Sequence, residues 1–346
     1  MTVQLTSARA FGVEIECHSR LSFDTLARTL SAATGLQFEV QGWSQHTTAA
    51  RGHNRGTWKI VPDGSLSHTT GKEVVSPVLS GDEGARQVTA VLTALRDAGA
   101  TVDRACGMHV HHDANDITVD GMVRLVEGFA ARQVSLMDRF VSPSRRNGRW
   151  ASRLSGAEVR TATNALSNGY AAAQRGTCGV DRYRALNLLA YASYGTVEFR
   201  QHQGTLNASK VLAWVALGQA IVEAAIDGTL PGMQTSIEFL NEAVGSGLMH
   251  GSAARSLTRR AAAFGFDAPA ITARSSMSRA AQGRRTRVAN VSEETDAEAF
   301  HLRSAGRTWR QVAEALGLAR ESSARTAAGR HSARIGASVG YVPTGA

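Results

Sequence analysis

A mixed α+β fold, with a sheet covered on one face by helices, is predicted by three features of this 346-residue sequence. Six short segments alternate apolar and polar residues with the period of a strand, and four longer ones between them carry apolar residues at helical spacing. The 43% hydrophobic content is enough for a sizeable core.

The first strand is read in AFGVEIECH (10–18), where Val13, Ile15 and Cys17 share one face and Glu14 and Glu16 the other. A helical pattern follows over 22–34. Strands are then read in TWKIVPD (57–63) and in KEVVSPVL (72–79), which carries Glu73. The next helix, 82–98, is opened by Ser80 or Asp82 and closed near Gly99. MHVHHD (108–113) alternates so that His109 and His111 face one way. A helix over 118–140, strands in YRALNLLAY (183–191) and GTVEFRQH (195–202), and a helix over 207–227 complete the set. In the last strand Thr196, Glu198, Arg200 and His202 fall on one face. The connections 43–56 and 142–180 lack periodicity and are read as long loops, where specificity commonly resides.

Charge is unevenly spread. After residue 250 there are 15 arginines, no lysine and seven acids, against 23 basic and 22 acidic residues before it, so the net charge of +9 belongs almost wholly to the tail. The tail divides into short Ala- and Arg-rich helices with a linker over 251–295 and a basic unit over 296–346; the body is residues 1–250. Cys17, Cys106 and Cys178 are an odd, scattered set that suggests neither a disulfide framework nor a zinc knuckle. The sequence opens without a signal-peptide pattern and holds no run of eighteen apolar residues, so a cytoplasmic protein with no membrane partner is the expectation.

Taken singly, each polar motif has a structural reading. Glu14 and Glu16 suit the wet face of an edge strand, His109 a core histidine, and Arg200 a salt bridge to Glu198 or Glu14. Together they are harder to place, because strands aligned in phase would gather four carboxylates and two imidazoles on one surface, each carboxylate raising the pKa of its neighbours. Divalent cations remove that conflict. Carboxylates with an occasional imidazole suit Mg²⁺ or Mn²⁺, and an arginine beside such a cation suits the phosphates of ATP.

The ordered set GVEIE, WKIVPDGSL, KEVVSPVL, GMHVHHD and RALNLLAYASYGTVEFRQHQGTLNASKVLAWVAL resembles the amidoligase family of the glutamine synthetase and glutamate-cysteine ligase superfamily, over about residues 10–228. That resemblance implies a curved antiparallel sheet whose concave face binds ATP and Mg²⁺ or Mn²⁺. It implies Glu14, Glu16, Glu73, His109 and Glu198 as metal ligands, with His111 and Arg200 toward phosphate, Arg184 as a further phosphate or carboxylate contact, and Asp63 as a catalytic contact to substrate amine or metal. The implied reaction is ATP-dependent ligation of a small-molecule or peptide carboxylate to an amine through an acyl phosphate. The other readings are a phosphotransferase on the same surface and a DNA-binding regulator with a decayed ligase domain. For the second, TWRQVAEALGL in 296–334 has the form of a helix-turn-helix, with Ser322 capping a second helix that carries Arg325, Arg330, His331 and Arg334 toward DNA. Assembly into a homo-oligomer is left open.

Overall fold

The computed structural model describes residues 3–42, 56–167, 180–268, 270–272 and 294–318, with single positions 324, 325, 327, 328 and 331. Residues 43–55 of the predicted loop 43–56, residues 168–179 of the predicted loop 142–180, and Ser322, Arg330 and Arg334 lie outside the described residues.

The strands are β1 Phe11–His18, β2 Gln37–Val40, β3 Thr57–Val61, β4 Gly71–Val75, β5 Gly107–Asp113, β6 Leu186–Asn187 and β7 Thr196–Gln203. They form one seven-stranded sheet in the order β2-β3-β4-β1-β5-β7-β6, antiparallel except for the β2–β3 pair. β1 is therefore flanked on both sides, by β4 and β5. Its alternation sets the two faces: Val13, Ile15 and Cys17 are buried in the hydrophobic core, and Glu14 and Glu16 project from the opposite side.

The body's helices are α1 Phe23–Thr34, α2 Gly81–Asp97, α3 Val119–Arg132, α4 Gly156–Ser167, α5 Leu189–Tyr194, α6 Ala208–Ile226, α7 Phe239–Gly245 and α8 Gly251–Ala263. Several of their starts follow side-chain capping. The hydroxyls of Ser22 and Thr118 accept from the N–H groups of Thr25 and Gly121, and Asn207 accepts from that of Lys210. Ser80 stands at the start of α2 but makes no side-chain cap bond. α6 is apolar on every side and long enough to cross a membrane, yet 83% of its most apolar window is buried inside the protein, which marks a core helix. α8 adds Ala253, Ala254, Leu257 and Ala261 to the same core, which thus runs on past residue 250.

Four predictions of local structure differ from the fold. The segment 183–191 is strand only at Leu186–Asn187, because the Asn187 side-chain oxygen accepts from Leu189 N–H (2.9 Å) and starts α5. The helix read over 118–140 stops at Arg132, whose buried guanidinium bonds the carbonyls of Leu230 and Met233 and anchors the chain there before a 3₁₀ turn at Met137–Arg139. The connection 142–180 contains α4. β2, four half-exposed residues, was not anticipated from periodicity.

A buried charge clamp joins distant parts of the chain. Arg9, 1% exposed in its side chain, reaches Asp116 at 2.7 Å, Glu223 of α6 at 3.0 Å and the carbonyl of Asp113 at 2.6 Å. The contact to Glu223 spans 214 positions of sequence.

Residues 294–304 form a helix, α9, and a further helix, α10, Trp309–Ala315, opens on a capping box between Thr308 and Gln311. Ala299, Val312, Ala313, Leu318, Ala324, Ala327 and Ala328 make a hydrophobic cluster separate from the main core.

Candidate metal and nucleotide site

Register brings the predicted residues together. Across β1 and its neighbours Glu16 lies opposite Glu73 and Glu14 opposite His109, and His111 of β5 lies opposite Glu198 of β7. Each of these strands contributes its polar face to one cluster, so a motif spaced by two in sequence becomes a patch spaced by one strand in space.

His109 Nδ1 is 3.0 Å from Glu14 Oε2 and 3.6 Å from Glu198 Oε1, and its Nε2 is 3.7 Å from Glu16 Oε1. His111 Nε2 lies 3.2 Å from Glu14 Oε1 and 3.9 Å from Glu198 Oε1, with the ring held from behind by Thr196 Oγ1 at 2.9 Å from Nδ1. Glu16 Oε2 accepts from the N–H of Gly107 at 2.6 Å. Glu198 accepts from Arg200 Nη1 (2.5 Å) and, on its other oxygen, from Asn187 Nδ2 (2.6 Å). Glu16, Glu73, His109, Glu198 and Arg200 are all buried.

The electrostatics divide the carboxyls. Burial opposes ionisation of Glu14, but His111 and His109 outweigh it and hold this carboxyl well below the usual range. Burial raises Glu73 well above that range, and the charges of Glu14, Asp63, Glu16 and Glu198 push it further. Partial burial opposes a charge on His111, yet Glu198 and Glu14 raise its pKa. A set of carboxyls with this much mutual repulsion could be neutralised by divalent cations.

Three overlapping groups bring their ligand atoms within 4.8 Å of one another: Glu14, Glu73 and His109; Glu14, His111 and Glu198; and Glu16, Asp63 and Glu73. The donor set, carboxylate oxygens with imidazole nitrogens, is that of Mg²⁺ or Mn²⁺, and the fit is good for more than one ion. His111 stands among the ligand groups as well as beside Arg200, and Asp63 stands with Glu16 and Glu73. Asp63 is also held by Ser65, whose N–H donates to Oδ1 at 2.6 Å. Beside it opens a cavity of about 250 Å³ lined by Phe23, Val40, Gln41, Pro62 and His68.

Arg184 is not gathered into the cluster. Its Nε donates to Glu158 Oε1 of α4 at 2.6 Å, and its Nη1 donates to Ser152.

Two participants escaped the sequence reading. Asn187 orients Glu198, as described. Arg145, in the 3₁₀ turn Pro143–Arg145, is buried beside Glu16, and a Cβ on Gly107 would stand only 2.4 Å from its Nη2 and 3.3 Å from Glu16 Oε1. Gly107 is thus the gap into which this guanidinium fits. Among the described residues Nη2 donates to the His202 carbonyl over a long 3.5 Å, and Nε has no partner. Burial lowers its pKa, with the attraction of Glu16 set against the repulsion of Arg200. The signal available in sequence was the PSRR run opening an otherwise featureless connection.

A family model described as "Putative amidoligase enzyme" matches residues 7–222, well over half of the chain and every residue of the cluster. Comparison with curated proteins returns no match.

Proposed function

Starting from the premise that this chain belongs to the amidoligase family, a family of ligase-type enzymes, we propose that it is an ATP-dependent carboxylate–amine ligase. In the proposed reaction a substrate carboxylate takes the γ-phosphoryl group of ATP, and an amine displaces phosphate from the resulting acyl phosphate to leave an amide. The observation that carries the reading is the in-register meeting of Glu14, Glu16, Glu73 and Glu198 with His109 and His111 on one surface.

Glu14, Glu16, Glu73, His109 and Glu198 would hold Mg²⁺ or Mn²⁺, which when bound supplies charge neutralisation for the polyphosphate. The remaining work belongs to the chain. Arg200, fixed by Glu198, presents a guanidinium that stabilises negative charge on the transferring phosphoryl group. Arg145, whose Nε has no hydrogen-bond partner among the described residues, would receive a second anion, the substrate carboxylate. His111, steered by Thr196, faces the nucleotide side, and Asp63 borders the cavity suited to the amine substrate. The burial of these groups strengthens each interaction by keeping water from competing.

The body that performs this chemistry is residues 1–250 with α8 packed on it. The basic unit of residues 296–346 is proposed as a DNA-contacting module joined through 251–295, on the strength of its own hydrophobic cluster and its arginines.

Purified protein supplied with pooled amino acids and amines consumes ATP only when Mg²⁺ or Mn²⁺ is present and yields an amide, whereas Glu16→Gln folds and does not turn over. A stable phosphorylated product in place of the amide makes the enzyme a phosphotransferase. Undiminished turnover in Glu16→Gln overturns the metal reading.

A further inference from the structure

β1 ends at His18, two positions beyond Glu16, and there the chain leading into β5 crosses it. His18 N–H donates to the Thr101 carbonyl (2.8 Å) and Thr101 N–H donates back to the His18 carbonyl (2.9 Å). Asp103 then opens a tight turn in which its Oδ1 accepts from Ala105 N–H (2.8 Å) and Cys106 N–H (3.3 Å) and stands 3.5 Å from Cys106 Sγ. Its other oxygen, Oδ2, lies 3.2 Å from His18 Nε2. The imidazole is steered from the far side by Thr70 Oγ1, 3.1 Å from Nδ1. Nε2 itself is buried and within ion-pair reach of Asp103, but without the alignment of a hydrogen bond. One ligand atom from each of His18, Asp103 and Cys106 lies within 4.8 Å of the other two.

We propose that His18, Asp103 and Cys106 bind a single thiolate-seeking divalent cation of the zinc class, at a site distinct from the carboxylate cluster. Bonds of about 2.0–2.3 Å in a tetrahedron set neighbouring ligand atoms about 3.3–3.8 Å apart; His18 Nε2 stands 3.2 Å from Asp103 Oδ2 and Cys106 Sγ 3.5 Å from Asp103 Oδ1, so the three ligand atoms, now within 4.8 Å of one another, close on one ion by a rotation of the half-exposed carboxylate. One thiolate, one imidazole and one carboxylate leave the fourth position to water. Sulfur excludes Mg²⁺ and Ca²⁺, which take oxygen ligands, so the two sites sort ions by chemistry. On binding, the Cys106 thiol gives its proton to solvent as the sulfur–metal bond forms.

The surroundings are those of a built site. Thr70 fixes the ring orientation, as outer partners of metal-bound histidines do. Cys106 is fully buried and its backbone is pinned by Gly204, whose N–H donates to the Cys106 carbonyl at 2.7 Å. Asp103, more than half exposed, gives the ion a way in. The consequence reaches the larger cluster, since Cys106 adjoins Gly107, the donor to Glu16, and His18 follows Glu16 on its strand. An ion here ties the end of β1 to the start of β5 and steadies the Glu16 carboxylate. The proposal does not depend on the ligase reading.

Cobalt(II) is the probe, titrated into the full chain in excess Mg²⁺, with the thiolate-to-cobalt charge-transfer band as readout. The band rises to one equivalent, is displaced by Zn²⁺, disappears in Cys106→Ser and weakens at least tenfold in apparent affinity in His18→Ala. It persists in Cys17→Ser, Cys178→Ser and Glu198→Gln. Absence of the band from the wild-type chain, its survival in Cys106→Ser, or its loss in either of the other cysteine variants overturns the proposal. Should Cys106→Ser fail to fold, His18→Ala decides: unchanged cobalt affinity there overturns the site.

Discussion

Acidification is expected to unfold this protein through two histidines that take no part in the proposed chemistry. His112 of β5 points away from His109 and His111 and packs edge-on to Phe199 with ring centroids 5.2 Å apart. Neither of its ring nitrogens has a hydrogen-bond partner among the described residues, and burial, with the charges of Arg9 and His111, depresses its pKa to about 3. His202 of β7 is likewise pushed to about 3, by burial first and then by the charge of Arg260. Both are neutral in the folded state and take up protons near pH 6.5 once unfolded. Their stabilisation is complete above that value and is lost as the pH falls from 6.5 toward 3, because only the unfolded chain binds the proton. At about 1.4 kcal/mol per pH unit and per imidazole, a drop from pH 6.5 to 5 costs about 2 kcal/mol for each residue and about 4 kcal/mol for the pair, a large share of a typical stability of about 5–15 kcal/mol. His112→Leu keeps the volume, forfeits no hydrogen bond and removes one proton from the balance. Urea unfolding followed at pH 7 and pH 5 should show the variant losing about 2 kcal/mol less than wild type over that interval. Equal losses in the two proteins would refute the assignment of His112 as a buried neutral imidazole.

Three other outcomes follow from the packing and the site. Gly218→Ala on α6 would set a Cβ 2.1 Å from His112 Nε2, so overpacking of about 1–3 kcal/mol exceeds the gain in helix propensity of about 1 kcal/mol; a melting temperature at or above wild type contradicts this. Arg200→Lys should lower kcat by about tenfold or more while changing the KM for ATP little, the pattern of a contact strongest in the transition state; an unchanged rate with reduced thermal stability makes Arg200 purely the salt-bridge partner of Glu198. Truncation after residue 290 should preserve ATP turnover and abolish an affinity for duplex DNA that itself weakens steeply with salt; if the full chain does not shift duplex DNA even at low salt, the basic unit serves some other contact.

The parts of the site legible in sequence are those whose pattern is local. Glu14 and Glu16, or His109 and His111, announce a shared face by their spacing of two, because pleating alone decides it. That Glu16 meets Glu73, and His111 meets Glu198, depends on which strands pair and in what register, which the ordered motifs implied only through the family they resemble. Arg145 was hidden because a 3₁₀ turn of three residues has no period to detect. Asn187 was read as one more polar position of a strand, although its side chain ends that strand by starting the next helix. β2 is too short and too exposed to alternate visibly. Arg184 shows the converse: an arginine near the site in sequence pairs with Glu158 of α4, a helix that periodicity does not reveal.

The Arg9 clamp has a bearing on how the protein is made. Arg9 leaves the ribosome well before its partner Glu223, which follows 214 positions later, an interval of roughly 10–40 s at synthesis rates of about 5–20 residues per second. β1 gains Gly71–Val75 and then Gly107–Asp113 as neighbours well before the end of that interval, and Asp116, 107 positions after Arg9, supplies the first of its two counter-ions. Slowing translation between β7 and α6 therefore prolongs the life of a nascent chain whose central strand is already paired but whose Arg9 clamp holds only Asp116, and protection of that strand from co-translational proteolysis should rise further once Glu223 has emerged.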